Sequence, residues 1–278
     1  GVVEGVGDDI DKGRIKSGDR VIIATGRSCF KCSYCLSGMD NLCETFRIIG
    51  GQVDGGYAEY AKAPAINIIP IPDGISFEEA AAFPLTFLTS WHMLLERARL
   101  APGEDVLIIG AGSGIGSAAV QIAKLAGARV IATAGSDEKL ELAKKLGADE
   151  IINHSQEDFS HRVKEITNGR GVDVVYEHVG AATWDKSIAS LAKNGRLITC
   201  GATTGAEVKL DLRYIFMRQQ TIMGSIMGTR RDLLNITSLI GRKKLKPVID
   251  STYPLSKARR AQERMLNREN FGKIILIP

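Results

Sequence analysis

The chain has 278 residues, 44% of them hydrophobic and 24% charged, and these values exclude a disordered or fibrous protein. This length predicts about two domains, at roughly 150 residues per domain. Lys+Arg 36 against Asp+Glu 32 leaves a formal net charge of +4, which gives no electrostatic reason to expect a nucleic-acid partner.

The first residues, 1–7, combine three glycines with three valines and Glu4 and are typical of a strand already in progress. A strand needs pairing partners, so we expect an N-terminal segment to precede the chain. Its beginning shows no basic, apolar and small-residue leader, and no apolar run in the chain approaches the ~20 residues of a membrane span. We therefore expect a cytoplasmic protein without membrane contact.

Residues 1–86 predict a β-rich region of short strands. Gly, Pro and Asp turns separate its apolar runs, which lie at 20–23, 57–61 and 66–70. Two helical stretches follow, at 77–82 and 88–97. Ser76 precedes the first of them and is expected to cap it.

From residue 105 onward, apolar strands alternate with amphipathic helices. The predicted strands lie at 106–109, 129–133, 150–152, 172–176, 195–199 and 221–225. One helix runs through 121–125 and another from 138 to 146, where Gly147 ends it. This alternation predicts an α/β fold with a doubly wound parallel sheet covered by helices on both faces.

The last predicted elements are a basic helix at 257–266 and a strand at 274–277. We expect the Arg and Lys side chains of the helix on a solvated face, because Ala258, Ala261 and Met265 can form its apolar inner stripe.

Four of the five cysteines are closely spaced, as Cys29-x2-Cys32-x2-Cys35-x7-Cys43. Tetrahedral Zn²⁺ prefers soft thiolate ligands, and these short spacings let one loop surround the ion. Four protein ligands leave no coordination position open, so the pattern predicts a structural zinc site. Such a site typically contributes ~10–16 kcal/mol of apparent binding free energy, which is enough to order a lobe with little core.

Other interpretations of these cysteines stay open, namely free or paired thiols, an iron–sulfur cluster, or a zinc knuckle for nucleic acid. The segment lacks His and has few basic and aromatic residues, which disfavours the knuckle. Cys200 lies in an apolar predicted strand and is expected to be a buried core thiol.

A glycine-rich turn joins the first strand of the alternating series to its helix. Its glycines are Gly110, Gly112, Gly114 and Gly116. They allow a sharp bend and a close approach to a pyrophosphate, which the helix N-terminus then stabilises. Ile115 stands where a strict G-x-G-x-x-G pattern has its third glycine. The position in the first βαβ unit favours a dinucleotide site, and a tight turn without a ligand is the alternative.

The second strand of the series ends before Gly135 and Ser136, with no carboxylate at its tip. A carboxylate there would bind the ribose 2′-OH of NAD and repel a 2′-phosphate. Ser136 and Lys139 offer a hydroxyl and a cation instead, so the sequence favours NADP(H) over NAD(H). Asp137 and Glu138 keep NAD(H) open, because a small backbone shift would bring either to the ribose. Ser136 also fits the role of N-cap for the next helix.

The cysteine segment, the glycine-rich turn, residues 84–91 between them and Gly272-Lys273-Ile274 together resemble the zinc-binding alcohol dehydrogenase and quinone oxidoreductase group of medium-chain dehydrogenases. The resemblance covers essentially the whole chain. It implies a partial GroES-like β-rich catalytic domain over 1–86 with the zinc lobe. A Rossmann domain over 87–228 would be inserted in it, and 229–278 would return to the catalytic domain.

The resemblance also implies roles for particular residues. Thr86 and Thr89 would lie near the nicotinamide. The expected contacts to the phosphates are Ser113, Gly114, Ile115 and Lys273 at the pyrophosphate, and Ser136, Lys139 and His154 at the adenosine phosphate. For His154 a role as a surface-loop residue is equally open. Ordinary helix, surface and strand-end positions are expected for His92, His161 and His178.

Two departures from the family pattern concern a catalytic zinc. In zinc-catalytic members, an active-site Cys and a Gly-His-Glu motif precede the segment with which this chain begins. A third ligand, usually Cys, is expected four residues before Thr89, where this sequence has Leu85 beside Pro84. Neither side chain binds a metal. The resemblance therefore favours the branch with structural zinc and no catalytic zinc. An alcohol dehydrogenase whose catalytic ligands lie upstream stays open.

The resemblance implies an oxidoreductase that transfers hydride between NADPH and a carbonyl, an enone or a quinone, with one structural Zn²⁺. A nucleotide-binding protein without turnover is the alternative from a different class. The expected partners are a small-molecule substrate and identical chains in a homodimer or homotetramer. The apolar strand at 221–225 offers an edge for such pairing.

Overall fold

A computed structural model describes residues 1–11 and 13–278 of the chain. They divide into two units, each with its own core. Unit 1 comprises Gly1–Leu88 and Met227–Pro278, and unit 2 comprises Thr89–Ile226.

The strands and helices are numbered in chain order. The strands are β1 (Val21–Ile23), β2 (Gly26–Arg27), β3 (Arg47–Ile48), β4 (Ile68–Pro70), β5 (Asp105–Ile108), β6 (Arg129–Ala134), β7 (Glu150–Asn153), β8 (Val172–Glu177), β9 (Leu191–Thr199), β10 (Thr221–Gly224), β11 (Ile249–Pro254) and β12 (Lys273–Ile277). The α-helices are α1 (Ser33–Leu36), α2 (Phe77–Ala82), α3 (Pro84–Trp91), α4 (Gly114–Leu125), α5 (Asp137–Lys145), α6 (Phe159–Ile166), α7 (Trp184–Ser190), α8 (Leu212–Arg218), α9 (Arg230–Gly241) and α10 (Ala258–Leu266). The short 3-10 helices are Asp40–Leu42, Ala65–Asn67 and Leu255–Lys257, and a π-helix covers His92–Arg97.

Unit 1 is built from small two-stranded sheets. Strands β1 and β4 pair antiparallel, as do β2 and β3, while β11 and β12 pair parallel. The start of α2 confirms the predicted cap. The Ser76 hydroxyl accepts from the Glu79 N–H at 3.1 Å, and the Glu79 carboxylate accepts from the Ser76 N–H at 3.0 Å. This reciprocal capping box satisfies two helix-end donors and holds the entry to the helix.

Unit 2 contains the predicted doubly wound sheet. Within the described residues its strands run parallel in the order β10-β9-β8-β5-β6-β7. The order reverses between β5 and β8, because the chain builds β5, β6 and β7 to one side and then continues on the other. Helices of the alternating series pack against the sheet. Its core holds the buried side chains Leu107, Ile109, Ile131, Ile152, Phe159, Val163, Val175 and Leu197.

The structure corrects one of the predicted strands in unit 1. The run at 57–61 forms no strand, and Tyr57 and Tyr60 are exposed. A strand needs a hydrogen-bonding partner, and the described residues supply none for this run. The first residues of the chain do pair as expected, because Val2 forms an antiparallel bridge to Arg20 and backbone hydrogen bonds join Gly1 to Val21 and Val3 to Asp19.

Two predicted helices also differ from the structure. The stretch predicted at 88–97 begins earlier, at Pro84, which suits a first helical turn because its missing N–H needs no acceptor there. From His92 to Arg97 it continues as a π-helix. In α10 the inner stripe includes buried Ala261, but Met265 is exposed and lies outside it. Among the described residues, no helix has both the length and the apolar character to cross a membrane.

Candidate functional site

The cysteine segment of unit 1 folds into one loop that brings its four thiols together. Cys29 follows β2, Cys32 directly precedes α1, Cys35 lies inside α1, and Cys43 follows the 3-10 helix Asp40–Leu42. The four sulfur atoms lie within 4.8 Å of one another. In the described part of the chain, this is the one group of His, Cys, Asp and Glu donors placed closely enough to hold a metal ion.

Backbone N–H groups of the loop point at the sulfur atoms. Cys29 Sγ accepts from the N–H of Cys32 at 3.3 Å and from that of Lys31 at 3.5 Å. Phe30 adopts a left-handed φ of 55°, which curls the backbone around this sulfur. Burial opposes ionisation of Cys43, but the Cys29 N–H and the Thr45 hydroxyl lower its pKa to about 6. Hydrogen bonds of this kind stabilise thiolates, the form in which cysteine binds a metal.

The spacing of the sulfur atoms fits tetrahedral zinc. Zn–S bonds of about 2.3 Å in a tetrahedron place two ligand sulfurs about 3.8 Å apart. The Cys29 and Cys35 sulfurs lie 3.9 Å apart. Burial and the neighbouring thiols raise the pKa of Cys35 to about 12. A divalent cation at the centre of the cluster would therefore displace a proton from Cys35 on binding.

The glycine-rich turn in unit 2 leads from β5 into α4. Gly110 has a φ of 67°, a backbone conformation that residues with a side chain rarely adopt. A Cβ on Gly116 would lie 2.3 Å from the Gly110 oxygen, so the helix approaches the turn as closely as a hydrogen-only side chain permits. Ser113 caps α4, because its hydroxyl accepts from the Gly116 N–H at 2.9 Å. The N–H groups of Gly114 and Ile115 in the first helical turn have no intrahelical acceptor, which suits an anion.

The predicted phosphate residues gather at the end of β6. The Ser136 hydroxyl accepts from the Lys139 N–H at 3.4 Å and caps α5, so the N-cap interpretation is confirmed. His154 follows β7, is exposed, and lies 3.1 Å from the Thr133 hydroxyl. The Asp137 carboxylate accepts from the Asn153 amide at 2.6 Å, which holds this acid toward β7.

The remaining predicted cofactor residues lie in different units. Thr89 is buried in the part of α3 that belongs to unit 2. Lys273 begins β12 of unit 1, is half-buried, and has a pKa lowered by this burial. Thr86, in unit 1, donates its hydroxyl hydrogen bond to the Ala82 carbonyl at 2.9 Å. Their contacts with a cofactor stay predictions.

The sequence analysis missed the residues that follow β5 and β8 at the point where the strand order reverses. His178, expected to be an ordinary strand-end residue, lies 2.9 Å from the Ile109 oxygen beside the turn. The fully buried Glu177 accepts from the N–H groups of Val179 and Gly180, both at 2.9 Å. Parallel sheets bind ligands at such reversal points, but the strand order that identifies one is a tertiary property.

The prediction for Cys200 as a buried core thiol is also corrected. It lies one residue beyond β9 and is half-buried rather than a core thiol inside the strand. Burial raises its pKa to about 12, so it stays a protonated thiol at neutral pH.

Family models match both parts of the chain. Residues 1–73 match an alcohol dehydrogenase GroES-like domain, and residues 114–242 match a zinc-binding dehydrogenase. An alcohol dehydrogenase of Geobacillus stearothermophilus is 38% identical over 277 residues, which cover 99% of this chain and 80% of that protein. The quinone oxidoreductase of Rattus norvegicus is 30% identical over 284 residues, covering 100% of this chain and 77% of that protein.

A solved structure supports the same assignment. The crystal structure of an NAD-dependent alcohol dehydrogenase superposes with a TM-score of 0.95 at 44% identity, covering 100% of this chain and 81% of the other. The glycine-rich turn on a parallel sheet, the four-cysteine loop and these relatives agree. The chain belongs to the zinc-type medium-chain dehydrogenases and reductases and is an NAD(P)-dependent oxidoreductase.

Proposed function

We propose that this oxidoreductase uses NADP(H) and transfers hydride to or from a carbonyl, an enone or a quinone. The tip of β6 carries the proposal. Ser136 caps α5 at this tip, Lys139 lies in the first turn of the helix, and the Asn153 amide donates to the Asp137 carboxylate at 2.6 Å. A 2′-phosphate bound there would meet the Ser136 hydroxyl and the Lys139 cation. Exposed His154 offers a further donor beside Gly135.

The protein's part in the reaction is to bind and orient the dinucleotide. The cofactor supplies the hydride chemistry when it is bound. The start of α4 offers its N–H groups and the positive end of its dipole to the pyrophosphate, near Ser113, Gly114 and Ile115. In this proposal Gly112 and Gly116 let the backbone approach the phosphates, while Thr89 and Lys273 contribute from α3 and β12.

We assign the cysteine cluster to one structural zinc. Four thiolates from these cysteines would complete a tetrahedral shell and leave no coordination position for substrate. Leu85, at the position where the resemblance leads one to expect a third catalytic ligand, has an apolar side chain that is 41% exposed. These features support the branch without a catalytic zinc and predict one zinc per chain.

The cofactor is tested by titrating NADPH and NADH against the purified chain with nicotinamide fluorescence. We expect tighter binding of NADPH, and oxidation of NADPH with members of a quinone and aldehyde panel. Preference for NADH, as the name of the solved relative suggests for that protein, would overturn the NADP(H) proposal while leaving the oxidoreductase assignment intact. Binding of NADPH without any oxidation would show that this chain does not catalyse turnover.

The variant Lys139→Ala tests whether Lys139 contacts the 2′-phosphate. Removal of a charged phosphate contact should raise the Kd for NADPH about tenfold or more and leave that for NADH unchanged. Lys144→Ala, in the last turn of the same helix, is the matched control and should change neither. Equal effects of both variants on the two cofactors would contradict a 2′-phosphate contact at Lys139.

We further propose that identical chains associate through unit 2. Strand β10 ends the sheet in the described part of the chain, and α8 immediately precedes it. Leu212, Phe216 and Met217 of α8 are each about two-thirds exposed, at 67%, 66% and 67%. An open strand edge beside an apolar face can pair with its own copy and bury both.

Light scattering tests this assembly. Phe216→Glu should convert the expected dimer or tetramer into smaller species, because it places a charge in the apolar face. Leu125→Glu, at another exposed apolar position of unit 2, is the control and should leave the molar mass unchanged. A monomeric wild-type chain would contradict the proposal.

A further inference from the structure

Two side chains at the end of β8, Tyr176 within the strand and His178 just after it, contact the two ends of the glycine-rich turn. Tyr176 and His178 are two residues apart, so they project to the same face of the extended chain. Their rings meet edge to face, with centroids 6.1 Å apart. The His178 ring lies by the Ile109 carbonyl, where the chain enters the turn. The Tyr176 ring lies by the Ile115 carbonyl, where the chain leaves the turn in α4.

At the exit of the turn, a hydroxyl relay reaches the backbone of α4. Ser90 Oγ lies 2.8 Å from the Ile115 oxygen and 2.9 Å from the Tyr176 hydroxyl. A carbonyl only accepts, so Ser90 donates to Ile115 and Tyr176 donates to Ser90, while the Tyr176 hydroxyl itself lies 3.5 Å from the Ile115 oxygen. Tyr176 and Ser90 are fully buried. Burial raises the pKa of Tyr176 well above its usual range, which keeps the phenol protonated as a donor.

At the entry of the turn, the donor is an imidazole. His178 Nε2 lies 2.9 Å from the Ile109 oxygen and 3.4 Å from the Ser113 hydroxyl. The carbonyl acceptor requires the proton on Nε2. Gly110 packs directly on this ring, because a Cβ there would lie 3.2 Å from Nε2. Burial lowers the pKa of His178, so the ring is neutral at pH 7.

We propose that Ser90, Tyr176 and His178 are positioning residues for the cofactor, holding the turn at both ends so that the N–H groups of Gly114 and Ile115 face the pyrophosphate. The inference rests on the proposed function, since it needs a dinucleotide at this turn. None of the three side chains has to contact the cofactor. A turn that is already held in its binding geometry loses less conformational entropy when the ligand arrives.

The test compares NADPH affinity with stability in matched variants. Ser90→Ala removes the relay, and His178→Leu removes the imidazole donor. Thr167→Val is the control, because it deletes a buried hydroxyl of the same unit that donates to Val163 at 2.7 Å and accepts from the Gly171 N–H at 2.8 Å, away from the turn. All three variants should lower the melting temperature.

Only the two turn variants, Ser90→Ala and His178→Leu, should weaken the binding of NADPH. A lost hydrogen bond corresponds to about a three- to tenfold rise in the Kd for NADPH. The KM for NADPH should rise in parallel, while kcat at saturating NADPH stays within about twofold, because positioning acts on binding. His178→Gln, whose amide nitrogen reaches the place of Nε2, should restore most of the affinity that His178→Leu loses.

A double substitution separates the two contacts. Tyr176→Phe and Ser90→Ala together should cost less than the sum of their separate effects, because both hydroxyls act on the Ile115 carbonyl, whereas His178→Leu should add its full effect to either. If the turn variants lower the melting temperature as Thr167→Val does but bind NADPH like the wild type, the positioning inference is overturned. If the wild type binds neither NADPH nor NADH, the proposed function itself fails.

Discussion

Gly116 is the residue at which the glycine-rich turn has the least room for a side chain. A Cβ there would lie 2.3 Å from the Gly110 oxygen and 2.8 Å from the Ala111 Cα, both of them backbone atoms. Backbone cannot move aside as the end of a flexible side chain can, so the helix and the turn would have to separate. The close approach that we propose for pyrophosphate binding is therefore also a requirement for packing.

We predict that Gly116→Ala lowers the free energy of unfolding by about 1–3 kcal/mol and abolishes NADPH binding, because overpacking displaces the first turn of α4. Thermal melting and fluorescence titration measure the two effects. Gly224→Ala is the control, because a Cβ at Gly224 meets nothing within 4 Å. Wild-type affinity in Gly116→Ala would show that the turn does not bind the phosphates.

Asp158 caps α6 with a carboxylate whose ionisation depends on the fold. The Ser160 hydroxyl at 2.6 Å, together with Lys186 and backbone N–H groups, holds the pKa of Asp158 well below its usual range. A depressed folded-state pKa stabilises the protein above the unfolded value of about 3.9. That contribution is lost as the pH falls through the folded-state pKa.

We therefore predict that Asp158→Ala lowers the free energy of unfolding by about 1 kcal/mol at pH 7. The difference from the wild type should shrink steadily below pH ~4, as the carboxylate of the wild type becomes protonated. Urea unfolding of both proteins across this range measures it. A difference that stays constant down to strongly acid pH would contradict a charged cap.

At the scale of elements, an arginine joins the amino ends of two central strands. Arg170 contacts Asp105 of β5 and Asp173 of β8, both at 2.6 Å. Asp173 in turn accepts from the Asp105 N–H at 2.8 Å. These contacts link the two strands at the edge opposite the glycine-rich turn, so they bear on stability rather than on cofactor binding.

We predict that Arg170→Met lowers the free energy of unfolding by about 1–2 kcal/mol, since two charge-assisted contacts are lost and solvent screens part of their value. Arg162→Met breaks the exposed pair with Glu165 on α6 and should cost at most about 0.5 kcal/mol. Chemical denaturation compares the two variants. NADPH affinity should be unchanged in both, and equal losses of stability would contradict the linking role of Arg170.

At the scale of the whole molecule, the four-cysteine loop is connected to a distant part of unit 1. The Asp40 carboxylate lies 3.1 Å from the N–H of Arg230 at the start of α9. The Ser28 hydroxyl donates to the Asp40 carbonyl at 2.7 Å. The loop that holds the cysteines therefore also contacts a helix about 190 residues further along the chain.

We predict that a strong chelator removes one zinc per chain and loosens this loop. Hydrogen exchange should increase over residues 29–43 and at the start of α9, while β5 and β6 of unit 2 stay protected because they have their own core. Cys43→Ser should reproduce the effect without a chelator. Unchanged exchange after loss of zinc would contradict its structural role, and two zinc ions per chain would contradict the interpretation of Leu85.

Several features of the molecule depend on local properties of the chain, and the sequence alone determined them. Alternating apolar strands and amphipathic helices predicted the parallel sheet, because their periodicity is set by neighbouring residues. The short spacings from Cys29 to Cys43 predicted that the thiols converge. Ser76 and Ser136 were identified as caps, since a cap needs only the residues of its own helix turn.

Other features depend on which segments meet, and only the tertiary structure decided them. The contacts of Tyr176 and His178 with the turn follow from β8 lying beside β5, an adjacency between strands far apart in the chain. Residues 57–61 have a strand-like pattern but no partner in the described residues, and hydrogen-bond pairing, not pattern, makes a strand. Local sequence sets the propensity of a segment, whereas non-local packing decides its neighbours, and the positioning of the turn belongs to the second kind.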